Sequence, residues 1–268
     1  MYFADYHTHS DFSSDSTTPM EKNIKQAIAL DLKEIAITDH IDFDYPDPDF
    51  SFVFEYESYK KQVDFLSEKY RNKIKILLGV EIGLQTHVYE EIENFLSKNY
   101  FDFIIGSTHC IDKCDLFTND FFIGKTKYEA YYRYFEDVLN HIKKFSNFNV
   151  YGHLDFINRY GDYKDKTMIY SEFKDITDEI LKELISRGKG IELNTSGFRY
   201  GLGHTHPQFE ILKRYKELGG EIITVGSDAH VSKDICYHFD IAYNMLKEAG
   251  FEYITTFDNQ HPKFIKIK

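Results

Sequence analysis

Short runs of β-branched and apolar residues recur along this chain, and between them lie longer segments whose apolar residues return with helical period. That alternation is the pattern of repeated βα units around a parallel sheet. Strands are expected at 3–9 (FADYHTH), 34–39 (EIAITD), 74–82 (IKILLGVEI), 102–108 (DFIIGST), 148–153 (FNVYGH), 190–195 (GIELNT) and 221–227 (EIITVGS), with a further run at 252–256 (EYITT). Helices are expected near 19–30, 55–70, 88–97, 127–145, 170–187, 207–218 and 235–249. Pro19 suits a first helical turn, and Gly188, Gly219 and Gly250 stand where helices should stop. Seven or eight such units in 268 residues fit a (β/α) barrel, for which about 250 residues is typical, better than an open doubly wound sheet. No G-x-G-x-x-G or G-x-x-x-x-G-K-[ST] loop occurs, so no nucleotide cofactor is indicated. With no linker or low-complexity tract to divide it, the whole of 1–268 reads as one domain.

Lys+Arg number 32 against 44 Asp+Glu, a formal charge of −12, which works against nucleic acid and anionic membrane surfaces as partners. The opening MYFADYHTHS lacks the basic flank and apolar centre of a signal peptide, and no stretch of ~18 apolar residues suggests a membrane span. A cytoplasmic location is expected. The three cysteines, Cys110, Cys114 and Cys236, offer no disulfide framework, and the C-x-x-x-C of Cys110 and Cys114 has no second pair to make a zinc site.

The 12 histidines carry more information than their number. Six lie at or just past the end of an expected strand: His7 and His9, His40, His109, His153 and His230, with Glu81 closing the third strand and Asp228 the seventh. In a parallel barrel those strand ends converge on one rim, where such barrels hold their active sites. Residues two apart in a strand point to the same side, so His7 and His9 can project together, as can Asp228 and His230 if the strand runs that far. Imidazoles and carboxylates together suit Zn²⁺, Mn²⁺ or Fe, and this many donors exceeds what one ion needs. Two or three ions sharing a carboxylate is the economical reading, with Glu81 as the bridge. One such histidine alone would more often be a hydrogen-bonded rim residue; the set is what points to a metal cluster.

The motifs DYHTHS (5–10), ITDH (37–40), GVEIG (79–83), GSTH (106–109), GHLD (152–155) and GSDAH (226–230) follow one another along the chain. In this order they resemble the PHP (polymerase and histidinol phosphatase) family of metal-dependent phosphoesterases. Total length, the GVEIG and STH blocks and the absence of a polymerase-like extension make the chain most similar to that family's histidinol-phosphate phosphatases. The resemblance implies an α/β fold, a distorted TIM-like (β/α)7 barrel. It also implies a trinuclear centre: one ion on His7, His9, Glu81 and Asp228, a second on Glu81, His109 and His153, a third on His40, His230 and a residue after the first strand. Many relatives carry His at that last place; here the segment reads DFSSDS, so Asp15 is the candidate, and an oxygen ligand there favours a harder ion.

The implied activity is hydrolysis of L-histidinol phosphate to L-histidinol and phosphate in histidine biosynthesis, by a metal-bridging hydroxide. Asp228 or His230 is the candidate to orient that water or carry a proton. Arg159 and Arg199, in loops after the fifth and sixth strands, are candidates to bind phosphate, with surface ion pairs as the alternative. His204 and His206 are candidate substrate contacts, with a polar capping loop as the competing reading. Tyr160, Tyr200 and Phe198 are possible walls. The acidic segment Asp42 to Asp49 reads as a solvated turn before it reads as a lid. Two other functions compete: phosphoesterase action on nucleotides or other small phosphate esters, and a metal-binding scaffold without catalysis.

Overall fold

Burial on both faces favours strands that are largely apolar, and apart from a few buried polar residues such as Asp5, Glu34, Glu81 and Glu192 the seven main runs follow that pattern. In the computed structural model, which describes residues 2–267, they form β1 (Ala4–Asp5), β2 (Glu34–Ile37), β3 (Lys75–Gly83), β4 (Phe103–Ser107), β5 (Val150–Tyr151), β6 (Gly190–Asn194) and β7 (Ile223–Gly226). Each pairs in parallel with the next, in sequence order. The circuit closes through backbone bonds at the ends of β1 and β7: Tyr6 N donates to Val225 O (3.0 Å), Asp228 N to His7 O (2.8 Å) and His9 N to Ala229 O (2.9 Å). The result is a nearly closed seven-stranded barrel wrapped by helices.

The helices fall where their apolar period places them, among them Met20–Ala29 (α1), Tyr56–Tyr70 (α2), Tyr89–Lys98 (α3), Lys127–Lys144 (α4) and Tyr170–Ser186 (α5). α4 begins on a capping box in which Thr126 and Glu129 satisfy each other's end of the first turn. Its inner face meets that of α5, with the Phe135 and Phe173 rings 5.8 Å apart.

Two expected strands are shorter than their apolar runs. β1 stops at Asp5, whose carboxylate takes the backbone N–H groups of Ser227 and Cys236, each at 2.9 Å. β5 stops before His153, whose φ is 20° and whose N–H goes to the Glu192 carboxylate instead of a strand neighbour. The ladder thus ends where side chains begin to converge on the rim. The eighth run is a strand, Tyr253–Asp258 (β8), but it does not join the barrel. It pairs antiparallel with His261–Lys266 (β9), across a turn whose central Asn259 and Gln260 both have positive φ, as a tight hairpin demands. The hairpin covers the other end of the barrel: Phe257 packs with Tyr6, Phe103 and Val150, and its N–H donates to Tyr6 Oη (2.8 Å). No helix among the described residues is long and apolar enough to cross a membrane.

Candidate metal centre

The C-terminal rim gathers the histidines. The two-residue strand His40–Ile41 runs beside β3 with His40 opposite Glu81, which sets an imidazole against the carboxylate by register alone. Glu81 is fully buried and divides its two oxygens between two groups. Oε2 lies 3.0 Å from His7 Nε2, 3.2 Å from His40 Nδ1 and 3.5 Å from His9 Nε2. Oε1 lies 2.9 Å from His153 Nε2 and 3.3 Å from His109 Nε2, and accepts from Ser107 Oγ at 2.6 Å. Asp228 Oδ1 faces His9 Nε2 at 3.4 Å and His7 Nε2 at 3.8 Å. Asp15 Oδ2 lies 2.9 Å from His230 Nε2 and 3.7 Å from His40 Nε2. All nine residues named for metal are therefore brought together.

These atoms are arranged as ligands are. Donors about 2.0–2.1 Å from a tetrahedral ion stand about 3.4 Å from one another, the spacing seen around Glu81 and Asp228. Four groups of three donors lie within 4.8 Å of one another: His7, His9 and Glu81; Glu81, His109 and His153; His9, His40 and His230; His40, Asp42 and His109. Two of the nitrogens, His9 Nε2 and His40 Nδ1, are buried without any hydrogen-bond partner, a costly state that a cation relieves. Burial disfavours charge on Glu81 and Asp228, yet imidazoles outweigh it: His7, His40 and His109 hold Glu81, and His7 with the Arg159 guanidinium holds Asp228, well below the usual carboxylate range. Burial and the neighbouring His230 and His40 push His9 down to about 3, so it offers a lone pair. The residues fit divalent ions.

Two carboxylates missed from the sequence orient the ligands. Glu192 Oε1 takes His7 Nδ1 (2.7 Å) and Asp42 Oδ1 takes His109 Nδ1 (2.8 Å), leaving each Nε2 for the centre. A charge in the middle of the buried run GIELNT was the available signal for Glu192. Asp42 corrects the reading of its segment as a solvated turn. It is 4% exposed, and Tyr45, Asp47, Phe50 and Phe52 after it line a cavity of about 250 Å³ above the cluster.

Arg159, Tyr160 and Tyr200 line the same cavity. Arg159 Nη2 lies 2.9 Å from Asp228 Oδ2. Four other candidates are absent from its wall. Arg199 donates to the backbone oxygens of Ser227 and Asp228, both at 2.7 Å, and so clamps the turn that carries Asp228. His204 is bonded to the carbonyl of Thr205, His206 is fully buried behind Arg159, and the Phe198 ring sits against His238. Their loop folds back because Asn194 and His206 exchange both backbone hydrogen bonds, at 2.6 and 2.8 Å. Cys110 and Cys114 occupy a small hairpin in which Cys110 pairs with Asp115 and Ile111 with Cys114, so the two thiols point to opposite faces and share no ion.

The PHP domain family matches residues 5–196. The histidinol-phosphatase of Lactococcus lactis is 37% identical over 256 residues, 94% of this chain and 93% of that protein. The crystal structure of histidinol phosphate phosphatase from the same organism, complexed with zinc, L-histidinol and phosphate, superposes with a TM-score of 0.91 at 36% identity, covering 97% of this chain and 98% of that one. A structure from Listeria monocytogenes, 22% identical with a TM-score of 0.77 over 89% of this chain and 99% of that one, bears on the fold alone. A match spanning most of the chain, together with the series of histidines and carboxylates that its strands deliver to one rim, makes this protein a member of the PHP domain family.

Proposed function

We propose that this protein is a metal-dependent histidinol-phosphatase, releasing L-histidinol and inorganic phosphate from L-histidinol phosphate. The observation that carries the reading is Glu81, whose two oxygens are shared among five imidazoles at the floor of a cavity with an arginine on its wall. The Lactococcus relative supports the choice of substrate, since its structure holds zinc, L-histidinol and phosphate. At about 250 Å³ the cavity is near the low end for small-molecule sites, a size that suits a small phosphate ester.

His7, His9, Glu81 and Asp228 would hold one ion, Glu81, His109 and His153 a second, and Asp15, His40 and His230 a third, with Zn²⁺, Mn²⁺ or Fe²⁺ as occupants. When bound, such ions make water acidic enough to ionise near neutral pH and neutralise charge on phosphoryl oxygens. The protein's own groups do the rest. Arg159, charged at any physiological pH, binds a phosphoryl oxygen. Asp228, kept ionised by His7 and Arg159, accepts a hydrogen bond and so orients water instead of acting as the acid. His230 is the most exposed of the cluster's imidazoles, with a side chain 27% accessible, and lines the cavity, so as a ligand it would hold the third ion at the mouth of the site. Phe52, Phe156, Tyr160 and Tyr200 exclude bulk water and offer rings to the imidazole of the substrate, while Asp47 and Asp115 at the wall attract its ammonium group. We place this chemistry in the cytoplasm, where the three free thiols stay reduced.

Phosphate release from L-histidinol phosphate, AMP and an aryl phosphate, measured on protein loaded with Zn²⁺, Mn²⁺ or Fe²⁺, tests the assignment. A kcat/KM for L-histidinol phosphate well above the others is expected; equal rates on all three would remove the assignment of substrate, and no turnover at full metal loading would leave a binding scaffold.

A further inference from the structure

The Arg159 guanidinium is held in a way that leaves one end free. Its Cζ lies over the Phe156 and Tyr200 rings, 4.6 and 4.2 Å from their centroids. Contact with ring faces attracts the cation without setting its in-plane rotation. That rotation is set by bonds along one edge: Nε to His206 Nε2 at 3.1 Å, and Nη2 to Asp228 Oδ2 at 2.9 Å and to Ser196 Oγ. Nη1 has no hydrogen-bond partner among the described residues.

His206 takes no place in the cavity wall and is 0% exposed. A guanidinium can only donate, so the nitrogen facing Arg159 Nε must carry a lone pair. The imidazole is therefore neutral, with its proton on Nδ1, where Asp155 Oδ1 accepts it. Asp155 is itself held by Gln208 N at 3.0 Å and Asn158 Nδ2 at 3.1 Å. Burial keeps the imidazole uncharged, lowering its pKa to about 4 against the pull of Asp155. The chain Asp155, His206, Arg159 joins the loop after β5 to the loop after β6, and every donor and acceptor along it is assigned by geometry.

We propose that His206 is a positioning residue for phosphate recognition: Asp155 fixes its tautomer, and its Nε2 sets the rotation of the Arg159 guanidinium so that Nη1 meets a phosphoryl oxygen. The inference rests on the reading of this site as a phosphomonoesterase. It goes beyond that reading in giving a buried histidine, outside the cavity and outside the metal cluster, control over how the phosphate is held.

Two variants divide the histidine's two bonds. His206→Asn keeps an amide near Nδ1 for Asp155 but is too short to reach Arg159; His206→Gln extends an acceptor to Arg159 Nε. Calorimetric binding of inorganic phosphate to the zinc-loaded protein, with metal content measured alongside, is the primary readout. H206N is expected to bind phosphate about 10- to 100-fold more weakly, the usual cost of a hydrogen bond to a charged group, with unchanged metal content. In kinetics on L-histidinol phosphate its KM should rise more than its kcat falls. H206Q should recover most of the loss, and H206N should cost nothing further once Arg159 is already alanine, because contacts acting through one residue are not additive. Phosphate affinity in H206N equal to wild type, H206Q as weak as H206N, or a full H206N penalty in the R159A background would each overturn the proposal. Absence of turnover by the wild-type protein on any monoester would instead remove the functional reading, while the phosphate-binding comparison would still decide the role of His206.

Discussion

Replacing Glu192 by glutamine changes one atom and one charge in a fully buried site, and the structure dictates the consequence. Oε1 accepts the Nδ1 proton of His7 at 2.7 Å, while Oε2 accepts from His153 N and from Asn194 Nδ2, each at 3.0 Å. Glutamine has a single acceptor oxygen for these three donors. If the oxygen stays with His7, the amide nitrogen confronts two N–H groups. If it turns to His153, the amide donates to His7 Nδ1 and drives the imidazole proton to Nε2, the atom 3.0 Å from Glu81 that a metal needs bare. A lost hydrogen bond to a charged group costs about 1.5–3 kcal/mol. Removing the carboxylate behind a ligating histidine typically lowers metal affinity about 10–100-fold, which at about 1.4 kcal/mol per tenfold is the same range. The assay is a competition titration of zinc against a chromophoric chelator. E192Q should weaken one class of site by that factor and leave the ion of Asp15, His40 and His230 in place. Zinc affinity equal to wild type at every site would refute the argument that Glu192 prepares His7 as a ligand.

Three further outcomes follow from other parts of the molecule. Asp15→Ala should lower the metal content by one ion per chain without loss of the other two, as read by elemental analysis after dialysis, because Asp15 pairs within the cluster only with His230 and His40; an unchanged metal content would exclude it as a ligand. Gly226→Ala would put a Cβ 2.0 Å from Glu192 Oε1 and 2.5 Å from the Cβ of His7, so a destabilisation of about 1–3 kcal/mol with weakened metal binding is expected from denaturant titration and chelator competition. Asp178→Asn breaks the network in which Asp178 accepts from Arg214, Lys174 and Tyr170, at a cost of about 1–2 kcal/mol. Burial works against the charge of Asp178, but Arg214, Lys174 and Tyr170 prevail and depress its carboxyl. Its contribution is therefore complete above the unfolded carboxyl value of about 4 and fades as pH falls toward the lower folded value, so the thermal-stability gap between D178N and wild type should close in acid.

The barrel was legible because each parallel strand is largely apolar on both faces and each helix on one, and those two periods survive in the order of residues. The eighth run, EYITT, is a strand as its residues suggest, and the Asn259 and Gln260 turn, followed by a polar strand, marks it as half of a hairpin outside the seven-stranded barrel. At the rim, His7, His9, His40, His109, His153, His230, Glu81 and Asp228 could be gathered from strand ends because the barrel brings those ends together. Glu192 and Asp42 were less visible, since a carboxylate that works by holding an imidazole has no spacing rule to reveal it. The loops were least legible. Arg159 and Arg199 look equivalent in sequence, yet one faces the cavity and the other binds the carbonyls of Ser227 and Asp228, a difference set by how the segment from Ser196 to His206 folds back on Asn194.

The measurement that bears most directly on the metal centre is anomalous scattering from crystals of zinc-loaded protein, collected on both sides of the zinc absorption edge. The expected result is a pair of peaks flanking Glu81, one within bonding distance of His7, His9 and Asp228 and one near His109 and His153, with a third among Asp15, His40 and His230. Peaks elsewhere on the protein, or full hydrolysis of L-histidinol phosphate by crystals and solutions with no metal at Glu81, would contradict it.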